Sequence, residues 1–146
     1  MKELHHHPEE WFFLRNFDVD RAFHNIRRTD YQVLYYIKTL QEEAPAEKVY
    51  LSDLAQAMEV RMPELSKRME ALQDNGYVIW KTDRQAGSSY VELSGKAVSQ
   101  MAEERAFLKR CYDRLRAELG DEELRRTAEA MQRVTGILKQ ERDKNP

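Results

Sequence analysis

The side chains best placed for chemistry in this sequence are a run of cations: Arg61, Lys67, Arg68, Lys81 and Arg84. Guanidinium and ammonium groups at such intervals suit phosphate oxygens and guanine edges, and a hydroxyl such as Ser66 can donate or accept beside them. The same spacing also fits simple surface pairing. Glu64 and Arg68 stand four apart and Lys67 and Glu70 three apart, the separations that meet on a helix. From Arg61 to Arg84 five basic residues meet four acidic ones, a thin surplus for displacing counterions from a polyanion.

Catalytic chemistry has no visible foothold. The sequence lacks a Ser or Cys nucleophile with a base at a known spacing, a glycine loop to cradle phosphate and a metal-binding helix motif. An enzyme is not expected, and neither is a cofactor. His5-His6-His7 reads as a solvated tail rather than a metal site, and His24 is isolated, so no metal is expected. Cys111 is the single cysteine, which excludes an internal disulfide and fits a reducing compartment as a structural thiol. Lys plus Arg number 24 against 26 for Asp plus Glu, a net charge of −2, so any basic footprint must be local. No apolar run approaches the roughly 18–20 residues that span a bilayer, and the stretch after Met1 lacks the apolar segment of a secretory leader. A cytoplasmic protein with no membrane partner is the expectation.

The elements that must position the cations follow from periodicity and punctuation. Glu9 to Arg28 reads as a first helical region with Phe12, Val19, Phe23 and Ile26 on one stripe, interrupted near Asn16-Phe17-Asp18. Thr29 to Gln32 forms a capping-box pattern opening a second helix, whose apolar positions are Val33, Leu34, Ile37 and Leu40. That helix must end before Ala44-Pro45. Lys48 to Leu51 suits a small strand. Ser52 caps a brief helix over Asp53 to Met58, and a turn at Glu59-Val60-Arg61 leads to Pro63, at home in a first turn. The helix Met62 to Asn75 turns Leu65, Met69 and Leu72 inward, with Pro63, Glu64, Lys67, Glu70 and Ala71 outward and Ser66 and Arg68 at the edges. Gly76 supplies its left-handed stop. Tyr77 to Lys81 and Tyr90 to Leu93 are β-branched and aromatic, a hairpin around Gln85-Ala86-Gly87-Ser88-Ser89. Ser94 caps a long helix to Leu119 with a heptad-like seam of Val98, Met101, Leu108, Tyr112, Leu115 and Leu119, interrupted once by Arg105. Gly120 closes it, Asp121 caps a last helix, and Leu124, Met131 and Leu138 recur every seven residues.

Short helix, tight turn, second helix and hairpin form the order of a winged helix-turn-helix, in which the second helix reads a DNA major groove. The expected fold is mainly α with a small β-hairpin. A single domain over 1–146 comprises a winged helix-turn-helix lobe at 29–97 and flanking dimerisation helices at 1–28 and 98–146. The flanking stripes carry more apolar surface than a small lobe can cover, which argues for a homodimer.

The stretch from Leu51-Ser52-Asp53-Leu54-Ala55 through Pro63 to Leu72-Gln73-Asp74-Asn75-Gly76-Tyr77-Val78, with Val91-Glu92-Leu93-Ser94-Gly95-Lys96-Ala97, resembles the MarR family of bacterial transcriptional regulators. The motif-bearing part spans about Leu51 to Ala97. The resemblance implies a homodimeric repressor, less often an activator, on a pseudo-palindromic operator. It also implies a recognition helix in the major groove and a wing arginine in the minor groove. Double-stranded DNA is then the partner, with Arg61, Pro63, Glu64, Ser66, Lys67, Arg68, Lys81 and Arg84 as the contacting residues. The resemblance further implies a small aromatic or lipophilic effector, for which Trp11, Phe12, Phe13, Tyr31, Tyr35 and Tyr36 are the candidates. Aromatics at helical spacing more often make plain core than line a pocket. Two departures stand out. The wing has Asp83-Arg84 adjacent where the family commonly has Asp-x-Arg, and Arg61 stands where a Ser or Thr cap is common. The rival reading is a winged-helix module that binds protein after losing its DNA face, which the acidic balance favours.

Overall fold

Why the cations end up on one lobe is visible in the computed structural model, which describes residues 8–16, 26–43, 48–85 and 87–144. The element order is α1 (Pro8–Asn16), α2 (Arg28–Glu43), β1 (Val49–Tyr50), α3 (Leu51–Met58), α4 (Met62–Asp74), β2 (Val78–Asp83), β3 (Ser88–Leu93), α5 (Gly95–Leu119) and α6 (Asp121–Lys144). The fold is mainly helical with one small antiparallel sheet. The expected hairpin is present, and its strands run longer than the apolar runs suggested. β1 joins it as a third strand in the order β1-β3-β2, with Val49 opposite Val91 and Trp80 opposite Val91 on the other side.

The core is continuous. Leu34, Tyr35, Tyr36 and Ile37 of α2, Leu54 of α3, Leu65 and Leu72 of α4, Val91 of β3 and Leu108 of α5 are almost fully removed from solvent. Each such side chain contributes about 1.5–3 kcal/mol of transfer free energy. Gly76 stops α4 as expected: at φ 78° it takes the left-handed conformation, and Tyr77 N–H returns to the Leu72 carbonyl at 2.9 Å. Ser94 accepts from Ala97 N–H at 3.1 Å, the expected cap of α5.

Three other expected caps are displaced. α2 begins at Arg28, where Tyr31 N–H already bonds the Arg27 carbonyl at 2.8 Å, so Thr29 lies inside the first turn. α3 begins at Leu51 behind an extended Tyr50 that has no side-chain cap bond, which puts Ser52 inside the helix. At α6, Leu124 N–H bonds the Gly120 carbonyl at 3.1 Å, and Asp121 pairs with Arg116 at 2.7 Å. In each case the expected capping residue lies in the helix's first turn rather than at its cap, because tertiary packing fixes helix ends more strongly than a single cap does. Val19, Phe23, His24, Pro45, Ala86 and His5-His6-His7 lie outside the described residues.

The long seam divides. Met101 and Leu108 of α5 and Leu124 of α6 are buried, and α1 packs on both helices. Farther along, Val134, Ile137 and Leu138 of α6 are 56%, 59% and 65% exposed.

Candidate nucleic-acid interface

α3 and α4 are joined by a tight turn whose sharpest point is Glu59, left-handed at φ 56°. Val60 N–H closes back onto the Ala55 carbonyl at 3.0 Å. Arg61 is the extended N-cap of α4 with no side-chain cap bond, and Pro63 occupies the first turn, where a missing N–H costs nothing. Burial of Leu65, Met69 and Leu72 then fixes the outward face. Met62, Pro63, Glu64, Lys67, Glu70 and Ala71 are exposed, while Ser66 and Arg68 are half-buried at its edges.

Charge on this face is partly neutralised. Arg68 donates to Glu64 at 2.8 Å, so the i,i+4 pairing legible in sequence does form. Lys81 donates across the hairpin to Glu92 at 3.1 Å. By contrast the side chains of Arg61, Lys67 and Arg84 have no ion pair or hydrogen bond among the described residues, and Lys67 does not pair with Glu70. These unpartnered cations sit on the turn, on α4 and on the wing, which are the elements that approach a duplex in a winged helix.

The wing is built on Asp83. Its Oδ2 accepts from Lys48 Nζ at 3.1 Å and from Tyr50 hydroxyl at 2.9 Å, while Oδ1 accepts from Gln85 N–H at 3.1 Å. Beside that carboxylate the Lys48 ammonium is held above its ordinary pKa, chiefly by the hydrogen bond. Gly87, left-handed at φ 67°, donates its N–H to the Asp83 carbonyl at 2.8 Å and turns the chain into β3. Arg84 therefore projects from a loop whose base is clamped to β1. The sequence hid this clamp, because Lys48 and Tyr50 meet Asp83 only once β1 joins the sheet. Two further ties aim α4. Gln73 Oε1 accepts from Trp80 N–H at 2.9 Å, and Lys96 Nζ donates to the Asn75 carbonyl at 2.7 Å while lying 4.6 Å from the Tyr77 ring centroid.

The six aromatic residues named for an effector are all buried and pack ring against ring. Trp11 stacks on Tyr35 at 6.0 Å between centroids, and Phe12 meets Phe13 edge-on at 5.3 Å. Tyr31 donates its hydroxyl to the buried Glu10. Burial, then the Glu10 charge, holds the phenol protonated far above its ordinary range. Of these residues, Phe12 also borders a cavity of about 390 Å³ between α1, α5 and α6, with Tyr112, Leu124 and Ala128. Cys111 is half-buried as a free thiol. Among the described residues no group of three His, Cys, Asp or Glu side chains gathers to hold a metal, and no described helix is long and apolar enough to cross a membrane.

No family model matches this chain, and no curated protein matches it. Solved structures do. The chain is similar to MepR, a transcription regulator of the Staphylococcus aureus multidrug efflux pump MepA, at 16% identity, with 78% of this chain and 81% of that one covered and a TM-score of 0.58. It is similar to the heme sensor protein PefR, solved with heme and carbon monoxide, at 14% identity over 79% and 80% with a TM-score of 0.58. It is also similar to Streptococcus pneumoniae FabT, solved in complex with DNA, at 14% identity over 75% of each chain with a TM-score of 0.54. These neighbours are transcription regulators of the MarR type, and at such identities the likeness establishes the winged-helix fold shared with them.

Proposed function

We propose that this chain is a DNA-binding transcriptional regulator of the MarR type, not an enzyme, and that it acts as a homodimer on a pseudo-palindromic operator. The observation that carries the reading is the placement of Arg61, Lys67 and Arg84 on the turn, α4 and wing, where they have no ion pair or hydrogen bond among the described residues while Arg68 and Lys81 beside them are paired. In this reading α4 lies in the major groove, with Pro63, Glu64, Ser66 and Lys67 toward base edges. Arg61 sits near phosphate and Arg84 reaches the minor groove. The exposed Val134, Ile137 and Leu138 of α6 supply the partner-facing surface of the dimer. Two lobes would then address half-sites about 34 Å apart. Occupying the operator excludes other proteins from it, which makes repression the simplest sign of regulation, with a small lipophilic effector as its release.

The test is a titration into labelled duplex from the region upstream of the protein's own coding sequence, against a scrambled duplex, at several salt concentrations. Preferential binding that weakens steeply with salt is expected, and Lys67→Ala should flatten the logarithmic salt slope by about 1. Absence of binding to either duplex by an intact dimer would overturn the proposal in favour of a protein-interaction module. The net charge of −2 and the pairing of Arg68 and Lys81 favour that second reading.

A further inference from the structure

Glu70 is a carboxylate on the side of α4 where a partner of a polyanion has least use for one. Pro63, Lys67 and Glu70 are exposed, and their spacings of four and three residues set them in one row, opposite the buried Leu65, Met69 and Leu72. The other carboxylates of the helix are placed differently. Glu64 accepts from Arg68 at 2.8 Å, and Asp74 is the last residue of α4, a turn farther on. Lys67 and Glu70 stand one turn apart, yet neither has an ion pair or hydrogen bond among the described residues. Each keeps its full hydrogen-bonding capacity while partly offsetting the charge of the other.

An ionised carboxylate only accepts hydrogen bonds, and an ammonium only donates them. The donors on a major-groove floor are cytosine N4 and adenine N6. Adenine sets the acceptor N7 beside its amino group, which repels the second carboxylate oxygen, whereas cytosine has no acceptor there. Guanine offers an ammonium two acceptors, O6 and N7. Residues three apart are separated by about 4.5 Å along a helix axis, and base pairs stack about 3.4 Å apart, so two such side chains meet neighbouring pairs. We infer that Glu70 is a specificity-determining residue, accepting a hydrogen bond from the exocyclic amino group of a cytosine in each half-site, beside a guanine faced by Lys67. The inference rests on the DNA-binding reading and deepens it. The same carboxylate rejects other sequences, because thymine O4 or guanine O6 in the place of that amino group confronts it with a second acceptor.

Selection by the full chain from a pool of random-sequence duplexes, followed by titration of the enriched duplex at fixed salt, tests it. Enriched half-sites should share a cytosine next to a guanine. Exchanging that C·G pair for T·A should weaken binding by the parent chain about tenfold, the worth of a hydrogen bond to a charged group, and exchange for A·T should cost less. Glu70→Gln should move the preference at that pair from C·G to A·T, because an amide pairs with adenine N6 and N7 together. Lys67→Ala should relax the neighbouring guanine and keep the cytosine. Thermal melting confirms that the variants are folded. A carboxylate that only repels phosphates behaves otherwise: Glu70→Gln would tighten every duplex alike and leave the selected sequence unchanged. That result, or enriched sites without the cytosine, would overturn the inference and keep the regulator reading. An intact dimer that enriches no sequence would overturn both.

Discussion

The lobe from β1 to β3 and the arm made of α5 and α6 differ in the side chains that they leave at the surface. In the lobe the apolar side chains Leu54, Leu65, Met69, Leu72 and Val91 are buried, with Met62 and Ile79 exposed, and the cations Arg61, Lys67 and Arg84 have no ion pair or hydrogen bond among the described residues. On the arm several charges are paired in rows, Lys109 with Asp113, Arg114 with Glu118, Arg125 with Glu129 and Arg126 with Glu122. There Val134, Ile137 and Leu138 face solvent. A surface with spare cations is complementary to an anionic partner, and one with spare aliphatic side chains to another apolar surface. One chain thus presents two surfaces of different chemistry.

Hollowing the core of the lobe should do the most damage. Leu65→Ala should cost about 2–5 kcal/mol of stability, read by urea unfolding, and abolish duplex binding. A loss below 1 kcal/mol would mean that α4 is not held by this core. Next comes the arm. Ile137→Asp combined with Leu138→Asp should weaken self-association at least about 100-fold in sedimentation equilibrium, since each buried aliphatic side chain is worth about 1.5–3 kcal/mol. The near-ultraviolet circular dichroism of the lobe should stay unchanged. Persistence of the dimer would place its interface elsewhere. A smaller effect tests charge on the lobe: Glu64→Gln releases Arg68, costs about 0.5 kcal/mol of stability or less, and should tighten duplex binding a few-fold. Unchanged binding would put Arg68 out of reach of the backbone phosphates. The smallest effect is at the α5–α6 corner. Arg116 holds the Asp121 carboxyl below its ordinary 3.8, mainly through the hydrogen bond. A depressed folded pKa means that the pair contributes fully above the unfolded value and is lost as pH falls through the folded one. Asp121→Asn should therefore leave melting temperature flat from pH 5 to 8 and soften its fall only below about pH 4.

Much of the lobe was legible because its signals are local. Pro63, Gly76 and Ser94 mark backbone conformations that few other residues favour, and Leu65, Met69 and Leu72 repeat at the helical period. Glu64 and Arg68 could be paired from spacing alone. What escaped depends on register and packing. Asp83 meets Lys48 and Tyr50, and Lys81 meets Glu92, only after three strands align. The caps at Thr29, Ser52 and Asp121 were misplaced because a capping residue type marks a helix end only to within a residue or two. An aromatic run reads the same whether its rings line a site or fill a core, so Trp11 to Tyr36 carried no signal separating the two.

Tyr50 has a mechanical consequence. It pairs with Tyr90 in the sheet, donates to Asp83 at the foot of the wing and is the residue from which α3 starts. Wing, sheet and helix-turn-helix therefore share a strut, with no joint between the part that would touch the minor groove and the part that would enter the major one. A reading head braced in this way cannot trade one contact against the other. In the proposed homodimer any mismatch in the distance between two such heads would be absorbed as bending or twist in the α5–α6 arm, which would set the tolerance of the pair to spacing.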